Sequence, residues 1–213
     1  MKFELLYESY PIIESTELIL KKIEEDDIND FFEIHSDEII YKYIPGKAKK
    51  NINTVKNMIG HYERDFNKKK MIFLGIYIKK PLPKLVGIAE IFDIDKKISM
   101  VTIGYRLNPN YWGKGIATEA TRRLTKYLID EIEVNRIQAF VMTENKKSEE
   151  VLIRNHFEYE GTIRQGQMWK EKGIIDLKLY SLLREDFYKY WNVALIYIRK
   201  NWEEGNSITF KRG

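Results

Sequence analysis

The stretch Ile103-Gly104-Tyr105-Arg106-Leu107-Asn108-Pro109-Asn110-Tyr111-Trp112-Gly113-Lys114-Gly115-Ile116-Ala117-Thr118-Glu119-Ala120 joins an apolar strand, a glycine-punctuated loop and the start of an amphipathic helix. That order makes an anion site. The first N–H groups of a helix lack intrahelical acceptors, and the helix dipole favours negative charge beside them. Gly113 and Gly115 carry no Cβ, so a phosphate can approach the main chain and unusual dihedrals cost little there.

Upstream of the loop, residues 85–92 and 99–107 read as an antiparallel hairpin turning around residues 93–97. Residues 71–78 form a compact apolar strand before the turn Lys79-Lys80-Pro81-Leu82-Pro83. Residues 16–23 read as a first strand, and acidic residues 24–27 suit the N-terminus of a helix carrying Ile28, Phe31, Phe32 and His35. Ile52, Val55, Met58, Ile59, Tyr62 and Phe66 recur at helical spacing. Downstream, Ala117, Ala120, Thr121, Leu124, Leu128 and Ile132 mark one face of a long helix. Residues 136–142 are a strand that, joined through this helix, lies parallel to 99–107. A short helix at 146–154, a hairpin of 161–169 with 173–183, and an aromatic helix at 184–203 complete the chain. The expected class is α+β: a mixed, mostly antiparallel sheet with one parallel crossover and helices on both faces. Residues 1–183 are expected to form one domain. The stripe Phe187, Trp191, Leu195, Ile198 and Trp202 then docks residues 184–213 on that domain or forms a homodimer interface.

Composition narrows the function classes. At 213 residues, with 44% hydrophobic and 32% charged residues, the chain reads as a soluble globular protein. No apolar run approaches the roughly 18 residues of a membrane span, and Met1–Leu5 does not open a secretory signal, so a cytoplasmic location is the default. Zero cysteines exclude disulfides, thiolate metal sites and a cysteine nucleophile. His35 and His61 have no ligand-spaced partner, so no metal is expected. Net charge is only +4, and the lysine runs near residues 47–50 and 68–70 lack the aromatic interleaving of a nucleic-acid binder.

Three phosphate-loop readings compete. A Walker loop, G-x-x-x-x-G-K-[ST], is absent. A dinucleotide fingerprint would need Gly or Ala where Thr118 stands; Glu133 falls where a ribose acid would, but the preceding hairpin is antiparallel. The third is an acyl-CoA loop. In Ile103-Gly104-Tyr105, Tyr111 to Ala120 and Glu144-Asn145-Lys146-Lys147-Ser148, the sequence resembles the GNAT N-acetyltransferases, in the branch that contains the ribosomal-protein N-terminal acetyltransferases. The likeness runs from Thr16 to Asp186. Asn110 departs from the general loop [QR]-x-x-G-x-[GA] at its first position, as this branch often does.

The resemblance implies the acyl-CoA N-acyltransferase fold, with acetyl-CoA as co-substrate and an amine acceptor. It implies that backbone amides of Gly113, Lys114, Gly115, Ile116 and Ala117 hold the pyrophosphate, and that the main chain of Tyr105, Arg106 and Leu107 holds the pantetheine. Asn145 and Ser148 match the second CoA-contacting motif, although by chemistry Asn145 also suits a turn and Ser148 a cap. That motif usually ends in Gly-Phe; here it ends Asn155-His156-Phe157, with Asn155 expected to take the left-handed position and His156 to lie on the surface. Many relatives protonate the leaving thiolate with a tyrosine where this chain has Leu152, which leaves Ser148 as the hydrogen-bonding group. Glu90 is the candidate base, facing either the cleft or solvent. Asp176 either orients the acceptor or closes a turn, and Trp112 either shields the pyrophosphate or packs on the helix. The expected function is acetyl transfer to a primary amine, a protein N-terminus or a small molecule, by direct attack. The alternative is a catalytically silent acyl-CoA-binding sensor or scaffold.

Overall fold

The computed structural model describes residues 1–170 and 172–190. Among them eight strands form one sheet in the order β1-β2-β3-β4-β5-β6-β8-β7. These are β1 (Ile13–Glu14), β2 (Leu18–Lys21), β3 (Ile72–Ile78), β4 (Lys84–Asp95), β5 (Met100–Leu107), β6 (Arg136–Met142), β7 (Glu158–Trp169) and β8 (Gly173–Leu183). Helices are α1 (Leu5–Glu8), α2 (Ile28–Ser36), α3 (Ile52–Asn67), α4 (Ile116–Asp130) and α5 (Lys146–Arg154). Residues 184–190 are also helical. No helix among the described residues is long and apolar enough to cross a membrane.

β3 reads as a continuous apolar run because both of its faces are covered. Ile72, Leu74 and Ile76 join the larger core with Leu6, Leu124, Leu128 and Leu152. Phe73 and Tyr77 face the other way, into a second core with Phe31 and Ile34 of α2 and Val55, Ile59 and Tyr62 of α3. Tyr62 stacks on Phe73 with ring centroids 3.7 Å apart. The mixed sheet with helices on both faces thus has the expected layering.

The single parallel contact positions the site. β5 pairs with β6 only from Met100↔Arg136 to Thr102↔Gln138. β6 is bonded to β8 along its whole length, from Arg136↔Leu183 to Met142↔Leu177, and β5 stays bonded to β4 up to Gly87↔Leu107. Ile103–Leu107 is therefore paired on one side only among the described residues, and the sheet opens into a cleft at the C-terminal end of β5. An open strand edge offers unpaired main-chain donors and acceptors.

Several expectations need correction. α1 and β1 do not follow from sequence periodicity: α1 is fixed by Phe3 and Tyr7 packing toward Phe66, with Tyr7 and Phe66 centroids 5.5 Å apart. β4 does not turn at residue 93 but continues to Asp95 through a register shift, with Asp93 at φ 47. β7 begins at Glu158 rather than 161. Phe187 joins the larger core; Trp191, Leu195, Ile198 and Trp202, which carried the dimer alternative, lie outside the described residues.

Candidate active site

The glycine loop is held by two neighbouring side chains. Asn108, 3% exposed, accepts from the Asn110 N–H at 3.0 Å and donates its amide to Glu33 Oε1 of α2 at 2.9 Å. It thereby caps the 3-10 turn Pro109–Tyr111 and ties it to α2. Trp112 donates its indole N–H to the Leu107 carbonyl at 2.8 Å and packs against the larger core. Its observed role is packing that folds the loop back on the end of β5.

Between these anchors and α4 the backbone is left open. Gly113 and Gly115 sit at φ 72 and 75, the left-handed region that glycine adopts at least cost. A Cβ built on either would meet nothing within 4 Å. Among the described residues the N–H groups of residues 113–118 have no protein acceptor, the first accepted amide being Glu119 N–H on Gly115 O at 3.0 Å. Gly115 also gives α4 no side-chain cap. Six consecutive donors beside open space, at the positive end of a 15-residue helix, fit a pyrophosphate. Lys147 lies over the Trp112 ring at 5.5 Å and adds positive charge on the flank.

Two cavities adjoin. The first, about 330 Å³, runs from Gly113, Gly115, Ile116 and Ala117 to Tyr105, Arg106 and Leu107. The second, about 610 Å³, lies over the opened end of β5 and β6 and contains Glu90 and Leu152, with Trp169 and Leu177 from the last hairpin. Tyr105, Arg106, Asn145 and Ser148 line both. The structure thus brings the expected site residues together around the two cavities; Lys114 joins them through its main-chain N–H, while its ammonium lies 5.0 Å from the Tyr111 ring and lines neither cavity.

Individual side chains carry further detail. Asn145 caps α5, its Oδ1 accepting from the Ser148 N–H at 3.3 Å, so its capping role and its place in the cavity wall coexist. Glu90 does face the cleft, and its Oε1 forms an ion pair with Arg106, both side chains 14% exposed. The Glu90 carboxylate beside it, opposing burial, raises the Arg106 guanidinium above its ordinary value. Oε2 of Glu90 accepts no hydrogen bond among the described residues. Asp176 accepts from the Gln165 N–H at 2.6 Å and braces the register shift between Ile163 and Gln167 in the β7–β8 pair, away from the turn at its end. His156 itself takes the left-handed position at φ 63, whereas Asn155 stays at φ −100. The reason is that the buried Asn155 amide is held by the Val151 and Thr118 carbonyls at 2.8 and 3.2 Å, which fixes its side chain against α4. His156 remains on the surface, stacked 4.3 Å from Tyr190.

A scan against family models matches residues 17–158 to the acetyltransferase (GNAT) domain. The chain belongs to the GNAT family of acetyltransferases. An N-acetyltransferase p20 from Bacillus licheniformis is 30% identical over 171 residues, which cover 80% of this chain and 94% of that protein. The ribosomal-protein-serine acetyltransferase of Escherichia coli is 26% identical over 128 residues, covering 60% of this chain and 67% of that protein. Among solved structures, the microcin C7 self-immunity acetyltransferase MccE, in complex with acetyl-CoA and AMP, superposes with a TM-score of 0.71 at 24% identity, covering 79% of this chain and 93% of that one. The splayed sheet and the glycine loop are thus those of a GNAT acetyltransferase. No group of three or more metal-ligating side chains occurs among the described residues.

Proposed function

We propose that this GNAT enzyme transfers an acetyl group from acetyl-CoA to a primary amine by direct attack in a ternary complex. One observation carries the reading: the half-paired edge of β5 at Ile103–Leu107 leads straight into the unaccepted amides of residues 113–118. That continuous line of main-chain donors matches a pantetheine arm ending in a pyrophosphate. Gly113, Lys114, Gly115, Ile116 and Ala117 hold the pyrophosphate through their N–H groups. Tyr105, Arg106 and Leu107 hold the arm through their main chain, with Asn145 and Ser148 closing the other wall. The bound thioester supplies an activated acetyl group. A main-chain N–H near Tyr105–Leu107 polarises its carbonyl, and positioning supplies much of the remaining rate.

Glu90 accepts the amine proton through Oε2, while Arg106 holds Oε1 and so fixes the carboxylate in the cleft. Ser148 offers a hydroxyl to the sulfur. An α-amine with pKa near 8 is about one-tenth neutral at pH 7, a cost of roughly 1.4 kcal/mol, whereas a lysine near 10.4 costs about 4.6 kcal/mol. A single carboxylate already engaged by a guanidinium suits the easier substrate. The acceptor is therefore a protein N-terminus or a small-molecule amine; the name of the E. coli relative gives a ribosomal protein as the acceptor of that enzyme. The AMP bound by the MccE neighbour makes a nucleotide-linked amine one member of the small-molecule set. Cytoplasmic location and a 1–183 catalytic domain complete the reading. Calorimetric titration with acetyl-CoA tests it: binding that is lost in Gly113→Val supports the loop assignment, and unchanged affinity removes it.

A further inference from the structure

Among the described residues, the charged side chains that line the larger cavity are Glu90, Asp93 and Arg106. Arg106 is already paired with Glu90. The exposed Asp93 carboxylate makes no hydrogen bond or ion pair among the described residues. Lys172 stands beside the cavity, 5.6 Å from the Trp169 ring, but its ammonium donates to the Lys42 carbonyl. The first cavity has the opposite balance. Arg106, Lys147 and Arg154 outnumber Glu150 there, and the unaccepted amides at the start of α4 add positive potential. The two chambers are sorted by charge, cationic toward the phosphates of the donor and anionic toward the acceptor.

Asp93 owes its place to a β-bulge. The β4–β5 register passes from Phe92↔Thr102 to Asp95↔Met100, so residues 93 and 94 stand against Val101 alone. Asp93 takes φ 47, a conformation that aspartate tolerates better than most side chains. In a regular strand a residue three along from Glu90 faces away from it. The bulge breaks that alternation, and both carboxylates line one cavity. At about 3.3 Å per residue they stand about 10 Å apart along the strand. The wall between them is apolar: Phe92 lies on β4, and Met71 lies next to the Ile72↔Ile91 pair at the start of β3. The geometry points to Asp93 as a specificity-determining residue that selects an amine carrying a second positive charge across an apolar spacer of about 10 Å. This assignment deepens the acetyl-transfer reading above and rests on it. The reacting amine lies at Glu90 and the second cation at Asp93. An acceptor with a phosphate or carboxylate at that end meets like charge and is disfavoured.

The test measures CoASH release by the full chain with acetyl-CoA and two matched pairs of acceptors: octylamine against diaminooctane, and peptides opening Ala-Leu against Ala-Lys. Wild type is expected to favour the dicationic member of at least one pair about fivefold in kcat/KM, the upper range for an exposed ion pair, after allowance for the two amines of the free diamine. The pair that shows the preference tells a free diamine from a peptide N-terminus. The gain should sit in KM, and salt at about 1 M, where the Debye length is about 3 Å, should erase it. Asp93→Asn should abolish the preference and Asp93→Lys should invert it. Asp95→Asn, which removes a neighbouring charge that does not line the cavity, should keep it. Equal rates within both pairs for wild type, a preference that survives Asp93→Asn, or one lost equally in Asp95→Asn overturns the assignment and leaves acetyl transfer in place. Turnover confined to other amines overturns it as well. No turnover with any amine, although acetyl-CoA binds, brings down the acetyl-transfer reading itself, and this assignment with it.

Discussion

Asn108 is the side chain on which the shape of the anion loop most depends, and Asn108→Ala measures that dependence. The substitution removes the cap on the Asn110 N–H, worth about 1 kcal/mol. It also removes the amide bond to Glu33. A buried bond to a charged group is worth roughly 1.5–3 kcal/mol, and because Glu33 is 43% exposed and keeps its Lys84 pair at 3.2 Å, about 1 kcal/mol is a fair share. The total is about 2 kcal/mol, or a Tm lowered by about 4–8 °C for a chain of this size. The loss should depend on pH. Asn108, ahead of Lys84, holds the Glu33 carboxylate below its ordinary value. A depressed carboxylate stabilises the fold above its unfolded pKa and loses that contribution as pH falls through its folded value. The gap between wild type and Asn108→Ala should therefore be full at neutral pH and narrow below about pH 4. Thermal melts by circular dichroism across this range, paired with acetyl-CoA titration, read both effects. A Tm within about 1 °C of wild type at neutral pH, or a gap that widens in acid, would refute the reasoning.

Gly115→Ala should lose about 1 kcal/mol of stability, because alanine at φ 75 is strained even though its Cβ meets no protein atom. Acetyl-CoA affinity should fall by more than about tenfold, since that Cβ enters the phosphate cradle; chemical denaturation and calorimetry separate the two. Glu90→Gln should slow turnover by about a hundredfold at neutral pH, the low end for general-base loss. The deficit should shrink as pH rises past the amine pKa, and a rate equal to wild type at pH 7 would remove Glu90 as base. His35 is fully buried against the Tyr41 hydroxyl at 2.8 Å, and burial, with help from Arg106, lowers its pKa to about 3. Its ring proton resonance should stay unshifted from about pH 8 to about pH 5, where a free imidazole titrates. Unfolded chains protonate this ring below about 6.5, so stability drains away as pH falls from there toward 3.

The parts of the fold legible in the sequence are those written in local pattern. β3, the β4–β5 hairpin, α4 and α5 follow from alternation, helical spacing and the two glycines, and the parallel relation of β5 and β6 follows from the helix between them. The glycine loop was readable because left-handed backbone and a free helix start both require such residues. What escaped reading depends on contacts distant in sequence. The 3-10 turn Glu38–Lys42, which brings Ile39 and Ile40 to the first cavity wall, has no periodicity to announce it. Asn108 reads as an ordinary turn residue until Glu33 of α2 arrives beside it. The Glu90–Arg106 pair exists because antiparallel register sets Ile88 opposite Arg106 and Glu90 opposite Gly104, so both side chains share a face. A register-aware reading of the hairpin could have found it. Tyr105 and Ser148 share the walls of both cavities because β5 and α5 border the same open cleft, which strand and helix propensities do not encode.

The central claim is acetyl transfer to an amine at the junction of the two cavities. Its most direct test mixes the protein with acetyl-CoA and a panel of N-terminal peptides, polyamines, lysine peptides and nucleotide-linked amines, and identifies the products by mass. The account predicts one acetyl group gained by an α-amine or small-molecule amine, with one free CoASH released per product. It is contradicted if acetyl-CoA binds and no amine is acetylated, or if the acetyl group is found on the protein as a turnover intermediate.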